Sequence, residues 1–189
     1  MRVLIACEFS GIVREAFRKR GHDAWSCDLL TSEDRSFYHY QGDVLEILND
    51  GWDLMIAHDP CTYQCNSGVR WLYERPGRWE LLKESCAFTR KLLSAPIKKI
   101  CRENPIPHKY AVALIGRDYT QLIQPHYFGD LETKATCLWL DGLPELVRTH
   151  FITDGIKDSI HQCPPSKDRG QIRSRTFQGI AKAMAEQWG

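Results

Sequence analysis

Apolar and polar positions follow two rhythms along this chain. Short apolar runs suited to buried strands recur at Val3–Ala6, Asp53–Ala57 and around Ile100–Cys101. Between them apolar residues return with helical spacing. "RVLIACEFSGIVREAFRKRGHDAWSCDLL" predicts strand, turn, helix, strand. Ser10 is placed to cap that helix, Ile12, Val13, Ala16 and Phe17 form its apolar face, and Gly21 ends it. "GDVLEILNDGWDLMIAHDP" predicts a short helix and a second core strand. "ERPGRWELLKESCAFTRKLLSAP" predicts a long amphipathic helix, with Pro76 near its start and Pro96 after its end. "IKKICRENP" reads as a further strand. "TKATCLWLDGLPELV" reads as a strand and a turn, with a hairpin as the alternative. "RTFQGIAKAMAEQW" is a closing helix with Phe177, Ile180, Met184 and Trp188 on one stripe. The Pro-, Gly- and charge-rich stretch from Asp141 to Arg175 is expected to be an irregular excursion.

Strands alternating with helices predict an α/β fold, a mainly parallel sheet with helices on both faces, in one domain over residues 1–189. A chain of that length buries about 70% of its unfolded surface. The formal net charge of +1 confines any nucleic-acid contact to a local patch. Eight cysteines could suggest disulfides, but Cys7, Cys27 and Cys101 fall inside or at the ends of strand-like runs and read as reduced, buried small hydrophobes. With a strand at Val3 and no apolar run of membrane-spanning length, a cytoplasmic protein without a membrane partner is expected.

In parallel sheets ligands bind beyond the carboxyl ends of the strands. The residues that follow the predicted strands are Glu8-Phe9-Ser10-Gly11, Asp28, Asp43, Pro60-Cys61 and Glu103-Asn104-Pro105. A glycine at the strand-to-helix turn, Gly11, lets a ligand approach the backbone, or simply makes a tight turn. The three-glycine dinucleotide fingerprint is absent, because Val13 and Arg14 stand where further glycines would fall. Asp28 is placed to accept from a ribose. Asp43 is placed either to accept from an adenine amino group or to cap the helix at Val44.

Cys61 admits three chemistries. Cys61 and Cys65 have a ligand-like spacing, with His58, His161 and Cys163 as candidate zinc partners, but a second well-spaced pair is missing. A zinc deaminase needs H-x-E before P-C-x-x-C, which this sequence lacks. A nucleophile on a proline-fixed loop is the third, with an inert half-buried thiol as the plain alternative.

The order of F-x-G after the first strand, an acid after the second, G-D, P-C, E-N and a closing helix resembles the DNA cytosine carbon-5 methyltransferases. The likeness is greatest to short phage- and prophage-encoded members lacking a target-recognition domain. The family's P-P-C corresponds to Asp59-Pro60-Cys61 and its E-N-V to Glu103-Asn104-Pro105. In "YFGDLETKATCLWL", Lys134 and Thr136 take the two arginine places of its G-V-P-Q-x-R-x-R.

The resemblance implies a Rossmann-like S-adenosylmethionine-dependent core. It makes Cys61 the nucleophile toward carbon 6 of cytosine and Glu103 the group that protonates the ring nitrogen, with carbon 5 then taking the methyl group. Phe9, Gly11, Asp28, Asp43 and Pro60 would hold the cofactor, and Asn104, Lys134, Arg75 and Arg173 would contact substrate. Asp59 stands two residues before the thiol, where a carboxylate opposes thiolate formation. Only the Asp141–Arg175 stretch precedes the last helix, so little sequence reading is expected. The substrate is then loosely specified DNA, a single strand or a cytosine nucleotide, or a protein partner supplies recognition. Arg70, Arg75 and Arg78, with Trp71, Tyr73 and Trp79, could stack on unpaired bases. Lys167, Arg169, Arg173 and Arg175 are a second basic group. Two other classes stay open: an inactive phage protein of this fold that binds a nucleotide or a host protein, and methyl transfer to an exocyclic amine.

Overall fold

In the computed structural model, which describes residues 1–189, the apolar runs join into a seven-stranded sheet. β1 (Arg2–Ala6) lies between β2 (Asp23–Asp28) and β4 (Leu54–Ala57), parallel to both. β3 (His39–Gln41) pairs parallel to β2, and β5 (Lys99–Pro105) parallel to β4. β7 (Thr136–Asp141) runs antiparallel to β5 and to β6 (Gln121–Ile123). The order is β3-β2-β1-β4-β5-β7-β6. The chain winds outward from β1 to β3, then restarts at β4 and winds the other way, so a crevice opens beyond the carboxyl ends of β1 and β4.

Alternate residues of the central strands feed two cores. Val3, Ile5, Leu54 and Ile56 pack under α1 (Ile12–Arg18) and α7 (Gln178–Trp188), against Val13, Phe17, Ile180, Met184 and Trp188. Leu4, Met55 and Ile100 face the other side, where α3 (Arg78–Leu93) contributes Leu92. α2 (Trp71–Glu74) and α4 (Lys109–Ile115) join α3 through Leu72, Leu82, Cys86, Ala111 and Ile115. Burial on both faces explains why the central strands read as continuous apolar runs.

The structure departs from the sequence reading in a few elements. Ser10 shares the cap of α1 rather than carrying it alone: its Oγ accepts from the Ile12 amide at 3.4 Å, while the Glu8 carboxylate accepts from the Val13 and Arg14 amides at 2.7 and 3.2 Å. The helix expected after Asp43 is one 3-10 turn, Val44–Glu46. β7 forms its hairpin with the preceding β6, not with the residues after Asp141. β3 and β6, three residues each, carry no apolar run long enough to read. The stretch 141–175 is irregular apart from α5 (Ser159–Gln162) and α6 (Arg169–Ser174).

Candidate active site

The first wall of the crevice is the β1–α1 turn. Cys7 leaves the strand with φ 59°, and the turn brings Glu8 beneath the first amides of α1. Burial pushes the Glu8 carboxyl above its ordinary range, against the pull of His58 and of those two amides. Gly11 has φ 72°, and a Cβ there would overlap the guanidinium of Arg14. Arg14 is wholly buried, bonded to Ser26 at 2.8 Å and paired with Asp34. A glycine is therefore required at position 11 by the chain's own packing. Gly11 also lines a hollow of about 620 Å³ between α1 and α7, among the opposed charges of Glu15, Lys19, Lys182 and Glu186; it shares no residue with the thiol loop.

A smaller cavity of about 240 Å³ sits at the strand ends. Asp28, Asp43 and Pro60 line it with Cys7, Leu29 and Phe88. Asp28 Oδ1 accepts from the Leu30 amide at 2.9 Å and Asp43 Oδ1 from the Leu45 amide at 3.0 Å. Asp43 is thus a helix cap, and each carboxylate keeps its second oxygen for a ligand. At this size, under the ~300 Å³ at which whole ligand pockets begin, the cavity suits one end of a cofactor. Phe9 is half-buried, its carbonyl accepting from the Glu33 amide at 2.9 Å, and it lines neither hollow.

β4 ends in His58-Asp59-Pro60-Cys61. Asp59 turns away from the thiol into the protein. Its carboxylate accepts from Arg102 Nε at 2.6 Å and from Thr89 Oγ1 at 2.6 Å, and both side chains of the Arg102–Asp59 pair are 0% exposed. Gln64 joins through Arg102 at 2.6 Å, and Asn104 Nδ2 donates to the Asp59 carbonyl at 3.0 Å. This buried network orients the start of the thiol loop. The expectation that Asp59 burdens Cys61 is therefore corrected. What pushes the Cys61 thiol up is its hydrogen bond to Cys65, then burial and the nearby Glu103. Cys65 is held well below the ordinary thiol range by that same hydrogen bond and by Ser67, whose Oγ lies 3.2 Å away. The two thiols titrate as a pair. A helical turn brings them together, the Cys65 amide donating to the Cys61 carbonyl at 3.0 Å.

Glu103, on β5, faces this loop. His58 Nδ1 donates to Glu103 Oε2 at 2.9 Å, with the two side chains only 8% and 9% exposed. Burial raises the Glu103 carboxyl, but His58 and Lys134 outweigh it, leaving it below the usual range. Burial lowers His58, and the bond to Glu103 with the charge of Glu8 outweighs it, leaving it raised. No protein group partners His58 Nε2. Lys134 Nζ reaches the Arg175 carbonyl at 3.4 Å, and Arg175 pairs with Glu33 at 2.5 Å. The end of the 141–175 excursion thereby spans the crevice rim.

The strand ends thus unite Asp28, Asp43, Pro60, Cys61, Glu103 and Lys134. Asn104 braces the Asp59 backbone and carboxylate through its Nδ2. Arg75 stacks 4.0 Å from the Trp71 ring on α2, while Arg173 is half-buried on α6 without an ion pair. His58 and Cys65, weighed in the sequence only as metal ligands, are the site members whose present roles sequence reasoning missed. Their signal was position: the first residue past β4, and one helical turn after the thiol.

No family model and no curated protein matches the chain. A similar solved structure is a prophage-encoded E. coli protein, provisionally described as a DNA modification methyltransferase. It shares 17% identity with a TM-score of 0.46, over 74% of this chain and 46% of that one. The present chain spans less than half the length of that protein.

Proposed function

We propose that this protein transfers a methyl group from S-adenosylmethionine to carbon 5 of cytosine, in DNA or a cytosine nucleotide, through a covalent adduct at Cys61. One observation carries the reading: Pro60 walls the Asp28–Asp43 cavity, and the next residue bears the thiol that faces Glu103. The strand order supports it, being the dinucleotide-binding order 3-2-1-4-5-6 with an antiparallel strand inserted before the last. Asp28 and Asp43, with a free oxygen each, fit the hydroxyl and amino groups of an adenosine moiety. Bound there, S-adenosylmethionine supplies an electrophilic methyl group.

The chain's own residues prepare the base. Cys61 Sγ bonds to carbon 6, and its proton passes to the Cys65 thiolate. The electrons of the 5,6 double bond move toward the ring nitrogen, which takes a proton from the His58–Glu103 pair. Carbon 5 is then nucleophilic. Once it bears the methyl group, loss of its proton to a base re-forms the 5,6 double bond and expels Cys61 as a thiolate, and the ring nitrogen returns its proton. Lys134 lies close enough to lower both the Glu103 and Cys61 values and so favours their anionic forms. In duplex DNA the base must first leave the stack.

A second reading, a binder without chemistry, draws on the same thiol pair, in which Cys61 is the protonated member. Calorimetry with S-adenosylmethionine, followed by methyl-transfer assays on DNA and on deoxycytidine nucleotides, separates the two. Cofactor binding with transfer supports the proposal. Absence of cofactor binding sinks it.

A further inference from the structure

The thiol loop has an outer wall built from three separate segments. Arg78 Nη2 donates to the Thr62 carbonyl at 2.7 Å and its guanidinium lies 4.3 Å from the Tyr63 ring. On the other flank, the Asn66 amide donates to the Ile106 carbonyl at 2.9 Å, and His108 holds the Tyr63 carbonyl at 2.9 Å. These ties place the start of α3 and the start of α4 against the loop that carries Cys61, and α2 follows that loop in the chain.

Aromatic rings gather on that wall. Trp79 touches Tyr110 at 5.1 Å and Tyr73 at 5.8 Å, and the Tyr73 and Tyr110 hydroxyls bond to each other. Tyr73 is nevertheless 68% exposed. Trp71 carries two guanidinium groups, Arg70 at 4.2 Å and Arg75 at 4.0 Å, and neither is in an ion pair. A guanidinium stacked on a ring keeps its N–H edge free for phosphate. Lys109 lies 5.0 Å from the Tyr110 ring and adds a further cation from a part of the sequence far from Trp71. Arg70, Arg75, Arg78 and Lys109 outnumber the carboxylates of Glu74 and Glu80. The patch therefore combines local positive charge with exposed aromatic surface, in a protein whose net charge is only +1.

We infer that this patch binds single-stranded DNA, stacking unpaired bases on Tyr73 and its neighbours while Arg70 and Arg75 hold phosphates beside the target cytosine. In naming DNA it rests on the methyltransferase reading. Single strands are specified by the chemistry. Rings present a face only to unpaired bases, and α2, with four residues, is too short to enter a duplex groove. Arg78 and His108 tie the patch to Thr62 and Tyr63, the two residues after Cys61, so a strand held there lies beside the thiol loop.

The test is fluorescence anisotropy of a labelled random-sequence oligonucleotide, single-stranded or as duplex, with RNA of the same sequence, over a salt series. Single-stranded DNA should bind in preference to duplex and to RNA, with affinity falling steeply as salt rises. Tyr73→Ala should weaken single-strand binding by about tenfold, and Arg75→Glu should reduce the salt slope by about one. Calorimetry with S-adenosylmethionine on each variant reports that the fold and the cofactor site are intact. Tighter binding of duplex or RNA, or single-strand affinity unchanged in both variants, overturns the inference. So does cofactor binding by a wild-type protein that does not bind single strands. Failure of the methyltransferase reading is distinct: the cofactor does not bind, whatever the oligonucleotide does.

Discussion

His58 Nδ1 donates to Glu103 Oε2 at 2.9 Å, joining the end of β4 to β5 at the floor of the crevice. Asparagine places an amide nitrogen near the Nδ1 position. His58→Asn should therefore keep the fold and cofactor binding yet lose the shared proton, cutting methyl transfer by about 10²-fold. Kinetics alongside calorimetry would check this. Equal loss of cofactor binding would make His58 a purely structural brace.

The same pair predicts a pH dependence. Glu103 is lowered, so its contribution to stability is present above the unfolded value and lost as pH falls through the folded one. His58 is raised, so its contribution is present below its unfolded value and lost as pH rises through the folded one. The pair stabilises most between about pH 4.3 and 6.5, the two unfolded values. Urea midpoints measured against pH should lose their alkaline limb in His58→Asn.

Asp59 and Arg102 form a fully buried ion pair. Removing one partner strands the other charge, so Asp59→Ala should cost about 3–5 kcal/mol. A denaturant titration would show this. Loss under 1 kcal/mol would mean that water reaches Arg102.

The thiols depend on one another. Cys65 should be alkylated before Cys61 near neutral pH, and Cys61→Ala should slow Cys65 alkylation by roughly tenfold or more, because it removes the hydrogen bond holding the thiolate. Peptide mapping after a timed quench would reveal the order. Faster alkylation of Cys65 in the variant would contradict the pairing.

Much of this site was legible because strand ends are marked by local pattern. The apolar runs of β1 and β4 stop at Ala6 and Ala57, β2 and β5 end in the polar residues Asp28 and Glu103-Asn104, and parallel pairing alone brings these ends to one edge. Side-chain direction was not legible. Asp59 and Cys61 are two residues apart, yet the first is spent on Arg102, a partner visible only once β4 and β5 pair in register. Glu8 looked like a ligand contact and is a helix cap, because the turn at Cys7 folds it under α1. Lys109 and Tyr110 joined Trp79 through the α3–α4 contact, which no local pattern carries.

The cofactor side is tested by Asp28→Ala. The loss of its free oxygen should weaken S-adenosylmethionine binding by about 1–3 kcal/mol, read by calorimetry. Unchanged affinity would move the adenosine end away from the 240 Å³ cavity.

The central claim is covalent addition of Cys61 to cytosine, and intact-mass spectrometry tests it most directly. The protein is incubated with S-adenosylmethionine and a single-stranded oligonucleotide in which cytosine is replaced by a mechanism-based analogue that cannot release the enzyme. The predicted result is one protein–DNA adduct mapped to Cys61, absent in Cys61→Ser. Cofactor binding without any adduct, or an adduct at another residue, would contradict it.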